Sequence, residues 1–185
     1  MRSTYIRLRS YLCHTAFCGV VAAIVMALTV SVGCGGPDPD TELTAALQAA
    51  REAAGDTTRG GEAIILLEGF VGKHPDDVGV PGALMQLAIL RQQQGSMAAA
   101  IADYERILAS YPTSDVADEA QFMIAFIREE HLTDLDGART AYQAVIDNYP
   151  DSELVEQARQ LLEHVGEDPD TWVPGFQGSA VEDEQ

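Results

Sequence analysis

The stretch from Ala100 to Pro112 (Ala-Ile-Ala-Asp-Tyr-Glu-Arg-Ile-Leu-Ala-Ser-Tyr-Pro) returns 38 residues later as Ala138 to Pro150. A weaker copy lies 37 residues earlier, from Ala63 through Leu67 and Phe70 to His74 and Pro75. In all three copies the alanine and the closing proline are 12 residues apart. Self-similarity at such a period is the sequence form of stacked supersecondary units. Apolar residues recur at three- and four-residue spacing within each copy, as at Ala100, Tyr104, Ile107 and Leu108, which is helical periodicity. A single hairpin of this kind cannot cover its own apolar stripe, and stacking covers it. The pattern therefore predicts an all-α chain: a solenoid of antiparallel helix hairpins, about three units with a C-terminal capping helix.

Turn and cap residues divide the solenoid. Helices are expected from Thr41 to about Ala54, from Glu62 to Lys73, and from Pro81 to Gln94. Further helices are expected after Ser96 to Ser110, after Ser114 to about His131, from Asp134 to Asn148, and after Ser152 to near Gly166. Ser96, Ser114 and Ser152 stand where side-chain caps are favoured. Gly95 stands where a helix ends. The run Gly55 to Gly61 reads as a loop because of its glycines. Domain limits follow: 41–165 for the repeats and 166–185 for an acidic tail with no Lys or Arg, expected to be disordered. Trp172, Val173 and Phe176 interrupt that tail with apolar surface. They could fold back into a groove or cap the last hairpin.

Charge is segregated. Arg2, Arg7 and Arg9 precede any acidic residue, and from Cys34 onward eight basic residues face 29 acidic ones. That surface repels nucleic acid phosphates and anionic headgroups, so nucleic acid is not an expected partner. The basic start, the apolar run from about Thr15 to Val32 and the small residues after it have the form of an export signal. The run also approaches the length of a membrane-spanning helix. Two readings follow, an uncleaved anchor and a signal cut before a lipid-bearing cysteine. In the second, 1–33 is the signal, 34–40 is a flexible tether, and no thiol is left in the repeats.

The repeats resemble the tetratricopeptide repeat. Leu84, Leu87, Ala88, Gly95, Ala100, Tyr104 and Pro112 occupy its positions in one unit. Ile124, Ala125, Ala138, Tyr142 and Pro150 occupy them in the next, after one extra residue in the turn. Leu47, Ala50, Ala63, Leu67 and Pro75 form a weaker first unit. Arg91 and Arg128 stand where that repeat has tyrosine. The form Tyr-Pro-x-Ser at Tyr111–Ser114 and Tyr149–Ser152 is similar to that of envelope proteins of the BamD and YbgF/CpoB types. Three units are fewer than BamD-type proteins carry, and the coiled coil of YbgF/CpoB is missing. Ser31-Val32-Gly33-Cys34 resembles the bacterial lipobox, although Ser31 departs from its usual aliphatic residue. That resemblance implies a lipid anchor on Cys34, and Gly35 in place of aspartate implies the outer membrane, facing the periplasm.

The resemblance also places the first helix of each unit along a partner groove. By position, Met85, Ile89 and Gln92 would face it from one unit, and Phe122, Phe126 and Glu129 from the next. The competing reading is that neighbouring helices cover them. The implied function is a protein-binding scaffold, in outer-membrane protein assembly or Tol-Pal-like envelope maintenance. The alternative is a non-catalytic accessory subunit of an envelope enzyme or secretion complex. Enzymatic chemistry has no support: His74, His131 and His164 are far apart in the sequence. Glu129, Glu130 and His131 are consecutive, whereas ligands on a helix need three- or four-residue spacing. No cofactor or metal is expected.

Overall fold

The structure, a computed structural model, describes residues 37–53 and 56–172. The chain divides into two units at Asp38 and Pro39, and the second contains every described helix. Cys34, the expected signal 1–33 and most of the tether lie outside the described residues.

Among the described residues eight helices follow in order: α1 (Pro39–Glu52), α2 (Thr57–Lys73), α3 (Val80–Gln93), α4 (Met97–Ser110), α5 (Ala117–Glu130), α6 (Leu135–Asn148), α7 (Val155–His164) and the short α8 (Pro169–Trp172). No strand occurs among the described residues. Successive helices from α1 to α7 pack on one another, and α2, α4 and α6 each join one hairpin to the next. This is the expected tetratricopeptide-type solenoid. Ala63, Ala88, Ala100, Ala125 and Ala138 are fully buried, so the repeated alanines lie inside the packing between helices, where a small side chain permits close approach. Leu67, Leu84, Leu87, Tyr104, Ile107, Ile127 and Tyr142 fill the space between them. Leu161 and Leu162 of α7 pack against the end of the core.

The second helix starts earlier than its glycines suggest. It begins at Thr57, not Glu62, and Gly60 and Gly61 lie within it. Asp56 caps it, its Oδ1 accepting from the N–H groups of Thr58 (2.9 Å) and Arg59 (3.2 Å). Gly60 is buried, and a Cβ there would sit 3.2 Å from Gln94 Nε2. The glycine is therefore a residue of the helix and not of a loop. Similarly, α1 begins at Pro39, not Thr41, since a proline in the first turn lacks an N–H that would have no helical partner anyway.

The serine caps also differ from expectation. Ser96 makes no side-chain cap bond, and the buried Ser114 Oγ has no partner. Ser152 Oγ accepts from Leu154 N–H at 3.1 Å and donates to Asp118 of α5. Ser114 and Ser152 are 38 residues apart, and the position equivalent to Asp118 one repeat earlier is Pro81. Proline at that position has no side-chain carboxylate of the kind that Asp118 offers Ser152.

The tail expected from Gly166 keeps its fold as far as Trp172. Arg139 donates to the Val165 carbonyl (3.2 Å), and Gly166 N–H donates to Glu129 Oε1 (3.0 Å). The Trp172 ring stacks on His164, with centroids 4.3 Å apart and planes 5° apart. Of the two fold-back positions considered for this segment, Trp172 takes the one against the last helix of the stack. Val173 and Phe176 lie outside the described residues.

The turn from α5 to α6 holds Thr133 at φ 54°, where the previous turn has Gly95 at φ 72°. A left-handed conformation costs a non-glycine residue about 1–2 kcal/mol, against about 0.5–1 kcal/mol of extra chain entropy for glycine. Thr133→Gly is therefore expected to raise the unfolding free energy by about 0.5 kcal/mol. Urea denaturation checks this, and a loss of stability would show that Thr133 makes compensating contacts.

Candidate protein-binding face

Two pairs of interactions repeat with the sequence. Arg91 of α3 bonds Glu68 of α2 and Asp103 of α4. Thirty-seven residues later, Arg128 of α5 approaches Glu105 of α4 (3.8 Å) and Asp134 at the head of α6 (3.4 Å). Each arginine thus joins the last helix of one hairpin to both helices of the next. Gln92 donates to the Tyr104 hydroxyl (2.6 Å), and Tyr142 donates to Glu129 Oε2 (3.0 Å). These bonds explain the departures noted in the sequence. Arginine replaces tyrosine at this position because it serves as a clasp between hairpins, with a carboxylate 23 residues before it in both cases.

The clasp encloses a buried charge. Asp103 is 1% exposed. Burial raises its carboxyl above the ordinary value, against the opposing pull of the Arg91 guanidinium and then Arg106. At the other end of the stack, Glu42 of α1 bonds Lys73 (3.1 Å) and His74 (3.3 Å). Its hydrogen bond to Lys73 is the main cause holding it below the ordinary carboxylate value.

The six expected groove residues separate into three kinds. Met85 is 4% exposed and Phe122 is 7% exposed, so both are core side chains, and Phe122 reaches the surface only as lining of a cavity beside α5. Phe122 meets Tyr142 edge-on, with ring centroids 5.6 Å apart. Gln92 and Glu129 are half-buried and engaged as internal ties, Glu129 to both Tyr142 and Gly166. Ile89 is half-buried and Phe126 is 36% exposed, leaving these two as the candidates that present apolar surface. The open stripe of α3 is Gly82, Gln86, Ile89 and Gln93, and that of α5 is Glu119, Met123, Phe126 and Glu130. The expected set is offset from these stripes because three-residue steps along a helix drift around its axis.

A cavity of about 440 Å³ continues the α5 stripe. Phe122, Met123 and Leu154 give it an apolar floor, and Asp115, Asp118, Glu119 and Glu153 give it carboxylates. Among the described residues no group of three or more His, Cys, Asp or Glu side chains is arranged to hold a metal ion. Asp115, Asp118 and Glu153 lie at or near helix starts, where the dipole favours carboxylates anyway, so their sequence positions alone do not mark a cavity. Only folding brings Glu153 beside α5.

Residues 82–114 and 119–152 each match the tetratricopeptide repeat family. The chain therefore carries tetratricopeptide repeats, formed by α3 with α4 and by α5 with α6. The hairpin of α1 and α2 lies outside the matched residues and adds a further helix pair to the same stack. No curated protein matches the chain.

Arg91→Met would leave Asp103 buried with Arg106, at 3.6 Å, as its remaining close cation. Breaking a buried pair from one side costs about 3 kcal/mol. The folded state then holds the Asp103 proton more tightly than the unfolded state does. Acidification therefore favours folding of this variant, and its deficit relative to the parent shrinks as pH falls from neutral to about 5. Urea midpoints at both pH values measure this, and an unchanged deficit would contradict the role given to Asp103.

Proposed function

We propose that this chain is a lipid-anchored scaffold facing the periplasm, which uses its tetratricopeptide repeats to bind another protein of the cell envelope. Tetratricopeptide repeats generally act in protein–protein interaction, and the observation that carries the reading here is the α5 face. Phe126 stands open on it beside Met123, next to the cavity between α5 and the start of α7. Aromatic and methionine side chains are enriched where proteins meet, and an apolar stripe on a helix suits an extended or helical segment.

The anchor rests on the sequence Ser31-Val32-Gly33-Cys34 and the polar residues after it. Acylation there supplies the two or more chains that stable membrane attachment requires. Gly35 favours the outer membrane. No helix of the described residues is long and apolar enough to cross a membrane. Tethering raises the effective concentration of the groove toward envelope partners. Outer-membrane protein assembly and Tol-Pal-like envelope maintenance are the two settings that the repeat form favours.

Two measurements test the reading. Photo-crosslinking residues placed at Ile89 and Phe126 of the full chain in cells should yield a discrete protein adduct, while the exposed positions Ala109 and Gln143 on α4 and α6 should not. Adducts at those helices alone, or at no position, would contradict it. Fatty acid labelling should be lost in Cys34→Ala. Equal labelling of variant and parent would refute the anchor.

A further inference from the structure

The internal repeat supplies a comparison for the cavity between α5 and the start of α7. Val80 opens α3 and Ala117 opens α5, 37 residues apart. At that spacing Asp115, Asp118 and Glu119 correspond to Val78, Pro81 and Gly82. The same helical position is thus occupied without any of these carboxylates one repeat earlier. The fold does not require them. Phe122 and Met123 correspond to Met85 and Gln86, so the floor beside α5 gains an aromatic ring and an apolar chain where the earlier unit has a methionine and an amide.

The carboxylates also differ in availability. Asp118 is half-buried and accepts from Ser152. Asp115, Glu119 and Glu153 are exposed, and among the described residues no Lys, Arg or His forms an ion pair with them. Together they place an acidic rim over an apolar floor.

We infer that this crevice receives an arginine side chain, carried on an apolar-flanked segment of the partner polypeptide. This inference rests on the scaffold reading and names the chemistry of its partner. Arginine fits both surfaces. Its planar guanidinium bonds carboxylates in a fork and stacks on aromatic faces. Its aliphatic stem covers apolar surface while the charge stays at the rim. The flanking apolar residues then reach Met123 and Phe126. A volume of about 440 Å³ holds such a side chain with part of its neighbours. An acidic partner would meet three uncompensated carboxylates, which is a penalty for wrong partners as well as an attraction for right ones.

The test uses the full-length chain in a neutral detergent and a short fluorescent peptide of alternating arginine and leucine. A matched peptide replaces each arginine with citrulline, which keeps the shape and removes the charge. At near-physiological salt the arginine peptide should bind about tenfold or more tightly than the citrulline peptide. Glu119→Gln with Glu153→Gln should weaken the arginine peptide about tenfold. Glu62→Gln with Asp76→Asn, which removes two charges from exposed sites elsewhere, should change it by less than about twofold. Equal binding of the two peptides, equal losses in the two double variants, or no binding of the arginine peptide would each overturn the inference. None of these outcomes touches the scaffold reading, which stands or falls on the crosslinks at Ile89 and Phe126.

Discussion

The close approach of helix backbones at buried alanines is the constraint from which the rest of this molecule follows. Ala63, Ala88, Ala100, Ala120, Ala125, Ala138 and Ala158 are fully buried. Each lies inside the packed core, and a larger side chain there would strain the packing at a cost of about 1–3 kcal/mol. Such closeness lets Tyr104, Ile107, Tyr142 and Val145 fill the seams completely. It also brings long polar side chains of one hairpin within reach of the next. Arg91 and Arg128 exploit that proximity, each engaging a carboxylate of the preceding hairpin and one of its own.

The clasps differ in kind although they share a position. Arg91 closes on Asp103, a buried carboxylate, whereas Arg128 closes on Glu105 and Asp134, which are exposed. Exposed pairs contribute little, typically below about 1 kcal/mol. A buried charge makes its partner indispensable, because water is not there to replace it. The α3–α4 hairpin is therefore pinned more firmly than α5–α6. In the latter, part of the tie passes instead through Glu129, which holds both the Tyr142 hydroxyl and the backbone after α7.

The fold was legible in the sequence because stacking requires the same small and aromatic residues at each period. Ala100, Tyr104 and Pro112 and their equivalents announce it without reference to any partner. The site was less legible. Met85 and Phe122 look like surface residues by repeat position, but their neighbours come from helices distant in the chain, and these cover them. Gln92 and Glu129 look available because their tyrosine partners lie 12 and 13 residues away on another helix. Gly60 and Gly61 read as a break because glycine disfavours a helix interior, yet the helix capped by Asp56 runs through both. Thr133 shows the converse: a residue that local preference disfavours is kept where the turn geometry demands a positive φ.

Repeated positions therefore build the solenoid, and positions that break the repeat are free to define what it binds. Asp115, Asp118, Glu119 and Phe122 depart from Val78, Pro81, Gly82 and Met85 within an otherwise similar frame. Backbone amide NMR of the full-length chain in detergent, titrated with an arginine-rich peptide, bears on this division most directly. Shifts should concentrate at 115–126 and 153–154 and leave 78–86 unchanged. Equal shifts along both stretches would contradict it, because the departures from the repeat would then confer no preference.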